Sequence, residues 1–96
     1  MEEKAKQIAE LLKALANENR LLILCGLMER RMTVGEIARR VPKITQSALS
    51  QHLALLKARG ILDSDKSGQC VTYFIADGRV GEVIDVLRRY YCDAEC

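Results

Sequence analysis

The sequence has little of what several protein classes need. It contains one histidine, one proline and four cysteines among 96 residues. The longest apolar run, from Leu21 to Met28, is far shorter than the ~20 residues of a membrane-spanning helix. The acidic start at Glu2 and Glu3, with no cleavage site after it, is unlike a secretory signal peptide. We therefore expect a cytosolic protein that has no membrane partner.

The same scarcity argues against an enzyme. One histidine leaves no Ser-His-Asp or Cys-His set, and the chain has no glycine-rich loop that could cradle a phosphate. Four cysteines are too few for the disulfide scaffold of a small secreted domain. In a reducing cytosol they are thiols, metal ligands or a redox device. We predict no enzymatic activity and no cofactor.

Length and composition predict a single globular domain over residues 1–96. Apolar residues make up 49% of the chain and charged residues 29%, which excludes a disordered chain and a collagen-like repeat. No internal repeat, low-complexity segment or linker divides the sequence. A chain this short builds a small core, so oligomerisation would help to stabilise it.

The charge is unevenly distributed, although the net charge is only +2. Between residues 30 and 60, seven cations face one anion, Glu36, so this segment carries +6 and the remainder −4. A basic middle between acidic flanks is typical of a surface that binds a polyanion. A solvated helical face is the alternative interpretation. The seven cations are Arg30, Arg31, Arg39, Arg40, Lys43, Lys57 and Arg59.

Hydrophobic periodicity predicts four helices in the first two thirds of the chain. Apolar residues recur at helical spacing over 4–16, 18–30 and 46–59, and the second of these segments is apolar nearly all round, as in a central buried helix. Asn17 and Thr45 are predicted N-caps. Thr33 and Glu36 form a capping box that starts a short third helix, which ends near Val41.

The pattern then alternates, which predicts strands over 61–65 and 71–76 joined by a turn at Ser67-Gly68-Gln69. Asp77 can cap a last helix whose apolar stripe runs from Val80 to Tyr91. The order is α-α-α-α-β-β-α, mainly helical with a small β-hairpin. This order predicts a winged helix-turn-helix.

The fourth helix carries the strongest functional signal. Leu49, Leu53 and Leu56 share the side that docks on the core, with His52 at its edge as a packing residue. The opposite side is small and uncharged, which suits a helix that lies in a DNA major groove and bonds with base edges. The predicted residues on that side are Gln46, Ser47, Ser50 and Gln51, together with the small Ala54. Predicted phosphate or flanking-groove contacts on double-stranded DNA are Arg39, Arg40, Lys43, Lys57, Lys66 and Gln69.

Four stretches carry a family resemblance: "LLKALANENRLLIL" (11–24), "TVGEIARRV" (33–41), "SALSQHLALLKARGIL" (47–62) and "DSDKSGQCVTYFIAD" (63–77). Together they resemble the ArsR/SmtB family of dimeric winged-helix repressors. The resemblance implies a homodimer built by the first and last helices, with effector chemistry that lowers operator affinity. The implied interface residues are Ile8, Leu11, Leu12, Leu15, Val83, Ile84, Leu87 and Tyr91.

The family's better-known metal motifs are missing, since "TVGEIA" has no cysteine and "VGEVIDVLRRYYC" has no histidine. Cys25 and Cys92 instead resemble the pair of the family's thiol-switch branch, the HlyU-, BigR-, SqrR- and YgaV-like repressors. That resemblance implies that reactive sulfur or an oxidant links Cys25 to Cys92 by a di- or polysulfide and releases the operator.

Other interpretations stay open. Cys92 and Cys96 form a thiolate pair that suits arsenite or a soft metal, with Cys25 or Cys70 as a further ligand. Cys70 alone is interpreted as inert packing in the second strand. The winged helix of a thiol carrier or protein-binding module would contact a protein instead of DNA. A regulator that binds DNA can also activate transcription.

Overall fold

The computed structural model describes residues 1–91 and confirms the predicted order, with one additional short strand. No helix in this part of the chain is long and apolar enough to cross a bilayer. The elements are α1 (Glu2–Leu15), α2 (Glu18–Glu29), β1 (Met32–Thr33), α3 (Val34–Arg40), α4 (Gln46–Ala58), β2 (Leu62–Ser67), β3 (Cys70–Ile75) and α5 (Gly78–Tyr91).

Local side-chain caps set where the helices begin. The Asn17 side chain accepts hydrogen bonds from two backbone amides at the start of α2, at 3.0 and 3.1 Å. Thr33 and Glu36 form the predicted reciprocal capping box at α3. Thr45 accepts from the backbone of Ala48 at 3.0 Å and starts α4. Each cap satisfies amides that have no partner within the helix, so these boundaries follow from the sequence.

The sheet has three antiparallel strands in the order β1-β3-β2, where the sequence predicted two. Met32 pairs with Tyr73 and Thr33 with Thr72, so the segment before α3 becomes the third strand. The hairpin is longer than predicted, because β2 continues to Ser67. Gly68 has a φ of 63°, a conformation that glycine adopts without steric cost and that suits the tight turn.

The core lies where α2 meets α4, α5 and the sheet. Ile23 and Leu24 of α2 are 1% and 0% exposed, and Leu49, Leu53 and Leu56 dock α4 as predicted. Helix α2 is not buried all round, however, because Leu22 is 48% exposed. One apolar face of this central helix therefore remains open in the single chain.

Candidate functional site

Helix α4 presents the face that the sequence predicted. Its three core leucines are at most 2% exposed, which fixes the rotation of the helix about its axis. Across from them, an uncharged row of side chains is exposed, and we call this row the reading face. It consists of Gln46, Ser47, Ser50, Gln51 and Ala54.

The predicted phosphate-binding cations fall into two groups. Arg39, Lys43 and Lys66 are exposed and take part in none of the ion pairs among residues 1–91. Arg40 instead forms an ion pair with Glu29 of α2, and it lowers the pKa of that carboxyl. Lys57 donates to the Ser64 hydroxyl at 2.8 Å.

The hairpin is contacted by Arg31, a cation that the sequence analysis placed in the basic segment but not among the predicted DNA contacts. Arg31 pairs with Asp65 of β2 at 2.8 Å, and its guanidinium lies 4.3 Å from the centre of the Phe74 ring. The two contacts join β2 and β3 to the segment before α3, in addition to the pairing of β1 with β3. They leave Lys66 and Gln69 exposed near the hairpin tip, as predicted.

A second site lies on the other side of α2. A groove of about 440 Å³ runs between α2 and α5, with half-buried Cys25 in its wall. We call it the α2–α5 groove. Its lining is almost entirely apolar, although two charged residues, Glu18 and Arg88, belong to it. It is lined by Glu18, Leu21, Leu22, Cys25, Ile84, Leu87, Arg88 and Tyr91.

The two cysteines within the described residues, Cys25 and Cys70, lie in different parts of the fold. Cys25 lines the groove together with Tyr91, the residue directly before Cys92 in the sequence. Cys92 and Cys96 lie outside the described residues. Cys70 is exposed on β3 and is not packed as the sequence suggested, because it pairs with Ser67 beside the hairpin turn. Within residues 1–91, no group of three His, Cys, Asp or Glu side chains could hold a metal ion.

The residues predicted to form a dimer interface fall into two groups, those buried in the chain's own core and those that stay exposed. Leu15 and Ile84 are 6% and 1% exposed, so they belong to the chain's own core and have no surface left for a partner. Leu11 is half-buried against that core. The apolar side chains that stay exposed on α1 and α5 are Ile8, Leu12, Val83, Val86, Leu87, Tyr90 and Tyr91.

Comparison with known proteins identifies the family. The profile described as "Bacterial regulatory protein, arsR family" matches residues 17–64, which span α2 to the start of β2. The chain is also 44% identical over 94 residues to the transcriptional activator HlyU of Vibrio cholerae, covering 98% of this chain and 86% of that protein. The chain belongs to the ArsR family. It is therefore a transcriptional regulator, and the family's regulators bind DNA.

Two further relatives support this membership. The biofilm growth-associated repressor of Agrobacterium fabrum is 34% identical over 95 residues, covering 99% of this chain and 80% of that protein. The solved structure of reduced HlyU from Vibrio cholerae superimposes with a TM-score of 0.89 at 43% identity, covering 96% of each chain. The winged-helix fold of this ArsR-family chain is thus confirmed.

His52, at the edge of the reading face, has a polar partner that sequence reasoning missed. Its Nδ1 lies 3.3 Å from Nη1 of Arg20 on α2, and the imidazole is half-buried. Burial lowers the pKa of His52, and the charge of Arg20 lowers it further. The two residues are 32 positions apart, and periodicity could not reveal this contact, because it assigns a residue to a face and not to a partner on another helix.

Proposed function

We propose that this chain is a homodimeric repressor that binds a DNA operator through α4 and the hairpin and releases it when sulfur links Cys25 to Cys92. The observation that carries DNA binding is the reading face, an exposed and uncharged helix surface flanked by Arg39, Lys43 and Lys66. A surface that only needs to be soluble has no reason to combine these features.

In the proposed complex, α4 lies in the major groove. Gln51 can bond in bidentate fashion with adenine, and Ser47 and Ser50 can donate to or accept from base edges. The free amides at the start of α4, near Gln46, face a phosphate. The cations contribute affinity that does not depend on sequence, whereas the serines and Gln51 select the site.

The proposed dimer uses the exposed apolar residues of α1 and α5. Leu12→Glu is expected to give a monomer at micromolar concentration, because a carboxylate at a buried interface position loses its hydration without gaining a partner. Analytical ultracentrifugation measures this. Gln7→Glu adds the same charge at an exposed position of α1 and should remain dimeric. If Leu12→Glu sediments as a dimer, as Gln7→Glu is expected to, Leu12 is not part of the interface.

The α2–α5 groove supports the proposed switch, because it places Cys25 beside the end of the helix that leads into Cys92. With hydrogen peroxide, the two thiols lose two protons and two electrons and form a disulfide, and the peroxide becomes two waters. With a persulfide donor, each cysteine thiolate takes one sulfane sulfur and the donor leaves as a thiolate. One cysteine persulfide then attacks the other, which expels hydrogen sulfide and leaves a trisulfide.

A disulfide or a trisulfide between Cys25 and Cys92 would change the distance between the two reading faces of the dimer. Helix α5 belongs to the proposed dimer interface, and α2 packs against it within the core. Tying the two helices together changes how the protomers are held relative to each other. Half-sites about 34 Å apart tolerate little change in that distance.

Two parts of this proposal have an alternative. The chain could activate transcription instead of repressing it, and the inducer could be arsenite or a soft metal instead of reactive sulfur or an oxidant. The Vibrio cholerae relative is named an activator and the Agrobacterium fabrum relative a repressor, and both outputs need the same DNA binding. For the inducer, arsenite or a soft metal would use Cys92 and Cys96. Mass spectrometry of reduced protein exposed separately to each agent distinguishes bound arsenite from added sulfur.

The test of DNA binding is selection of a site from a pool of randomised duplexes. We expect an inverted repeat with half-site centres about 10 base pairs apart, as a twofold symmetric dimer requires. With three phosphate-binding cations in each protomer, log K should fall with log salt at a slope of about −5. A protein-binding module would enrich no sequence and show no such slope.

A further inference from the structure

One arginine side chain of α2 contacts both α1 and α4, the helix that carries the reading face. Arg20, in the first turn of α2, donates from Nε to the Ala14 carbonyl at 2.5 Å and from Nη2 to the Lys13 carbonyl at 3.3 Å. Both carbonyls belong to the last turn of α1. Its remaining terminal nitrogen, Nη1, lies 3.3 Å from Nδ1 of His52 on α4.

The two carbonyl contacts fix the guanidinium in place. The last four carbonyls of a helix have no partner within it, and a cation near them is favourable. In α1, the Leu12 and Leu15 carbonyls accept from backbone amides of the following residues, at 2.9 and 2.8 Å. Arg20 takes the two carbonyls between them, which completes the helix end. Its position is therefore determined by the α1–α2 corner and not by α4.

The third contact places a requirement on His52. Guanidinium nitrogens only donate, so Nδ1 must accept and the neutral imidazole carries its proton on Nε2. In the sequence His52 lies between Gln51 of the reading face and Leu53 of the core, which is 2% exposed. A contact at this position bears on how α4 is rotated about its axis.

We propose that Arg20, acting through His52, is a positioning residue for DNA reading, because it ties one edge of α4 to the α1–α2 corner and so refines the rotation that the core leucines give to this helix. This inference rests on the proposed function, since it concerns which base edges Ser50 and Gln51 meet. Neither Arg20 nor His52 touches DNA in this arrangement. Their loss therefore lowers the preference for the correct sequence while leaving the phosphate contacts intact.

The test compares two substitutions of His52 on the selected operator and on a scrambled duplex of the same length. His52→Asn puts an amide oxygen near the place of Nδ1 and keeps an acceptor for Arg20. His52→Leu keeps bulk without an acceptor. We expect His52→Asn to hold the ratio of operator to scrambled affinity within about 3-fold of wild type. His52→Leu should lower that ratio about 10-fold, with an unchanged salt slope and an unchanged affinity for the scrambled duplex.

A double-substitution cycle shows whether Arg20 acts through His52. Arg20→Lys keeps the charge but loses the planar fork, so it should lower the ratio in the wild-type background. In the His52→Leu background it should cause no further loss, because the contact is already gone. Melting temperature and circular dichroism, measured on each variant, separate a positioning effect from unfolding.

The outcomes are distinct for the two proposals. If wild type prefers the operator and His52→Leu matches His52→Asn, the imidazole only fills space and the positioning role is wrong, while DNA binding stands. Additive losses in the cycle would also contradict action through His52. If wild type itself prefers no duplex, the proposed function fails and the positioning role fails with it.

Discussion

Cys25→Ser is expected to abolish an approximately 100-fold loss of operator affinity that a persulfide donor causes in the wild-type protein. The factor follows from a two-state dimer that passes from about 99% to about 1% binding-competent, since apparent affinity scales with the competent fraction. Before treatment with the donor, the variant should bind the operator as reduced wild type does, because Cys25 lies in the α2–α5 groove and not on the reading face. Fluorescence anisotropy before and after treatment measures both states.

A shift between those populations requires a free-energy difference of about 5.5 kcal/mol between the two conformers. A covalent link supplies such a difference when its geometry fits only one conformer, because a bond forced into the wrong geometry stores several kcal/mol of strain. A dimer forms two such links, so each needs to contribute only about half of the requirement.

Cys70→Ser is the matched control, since the same atom is removed at an exposed position on the hairpin. It should respond to the donor as wild type does. A Cys25→Ser protein that still loses the operator would contradict the switch, and arsenite retained through Cys92 and Cys96 would replace it with a metalloid sensor.

We further expect Cys92 to react first with the donor, and Cys25 then to attack the modified Cys92 and form the link. A Cys92→Ser protein that accumulates a stable adduct on Cys25 at the wild-type rate would reverse that order.

The helices and their starts were predictable because their signals are local. Asn17, Thr33 and Thr45 cap the helices that follow them, and each side chain acts within three residues of its own position. Strand β1 was not predictable in the same way. A segment of two residues has no period, and Met32 and Thr33 become a strand only because β3 comes alongside them.

The sequence predicted which residues belong to the candidate site, but it did not predict which partners those residues contact. Arg39 and Arg40 are adjacent and equally basic, yet only Arg40 meets Glu29, which lies 11 positions away on α2. Leu12 and Leu15 likewise belong to one apolar stripe, but Leu15 faces the core and Leu12 is 52% exposed. A stripe marks a face of a helix, and only the packed structure divides that face between the chain's own core and a partner.

Gln51→Glu is expected to weaken binding to the selected operator about 100-fold or more. A glutamate cannot donate to adenine, and it adds a negative charge inside the groove. One bidentate base contact is worth about 1–3 kcal/mol, and the dimer makes two of them. Gln51→Ala, which removes the contact without adding the charge, should lose less. Anisotropy titrations at one fixed salt concentration provide the comparison.

Gln7→Glu is the control for charge, because it makes the same substitution on exposed α1 and changes the net charge of the protein equally. Its affinity for the operator should stay within about 3-fold of wild type. Equal weakening by the two variants would mean that overall charge repels the DNA and that α4 does not enter the groove. A loss confined to Gln51→Glu places the damage on the reading face, since charge acting from a distance would not distinguish one glutamine from the other.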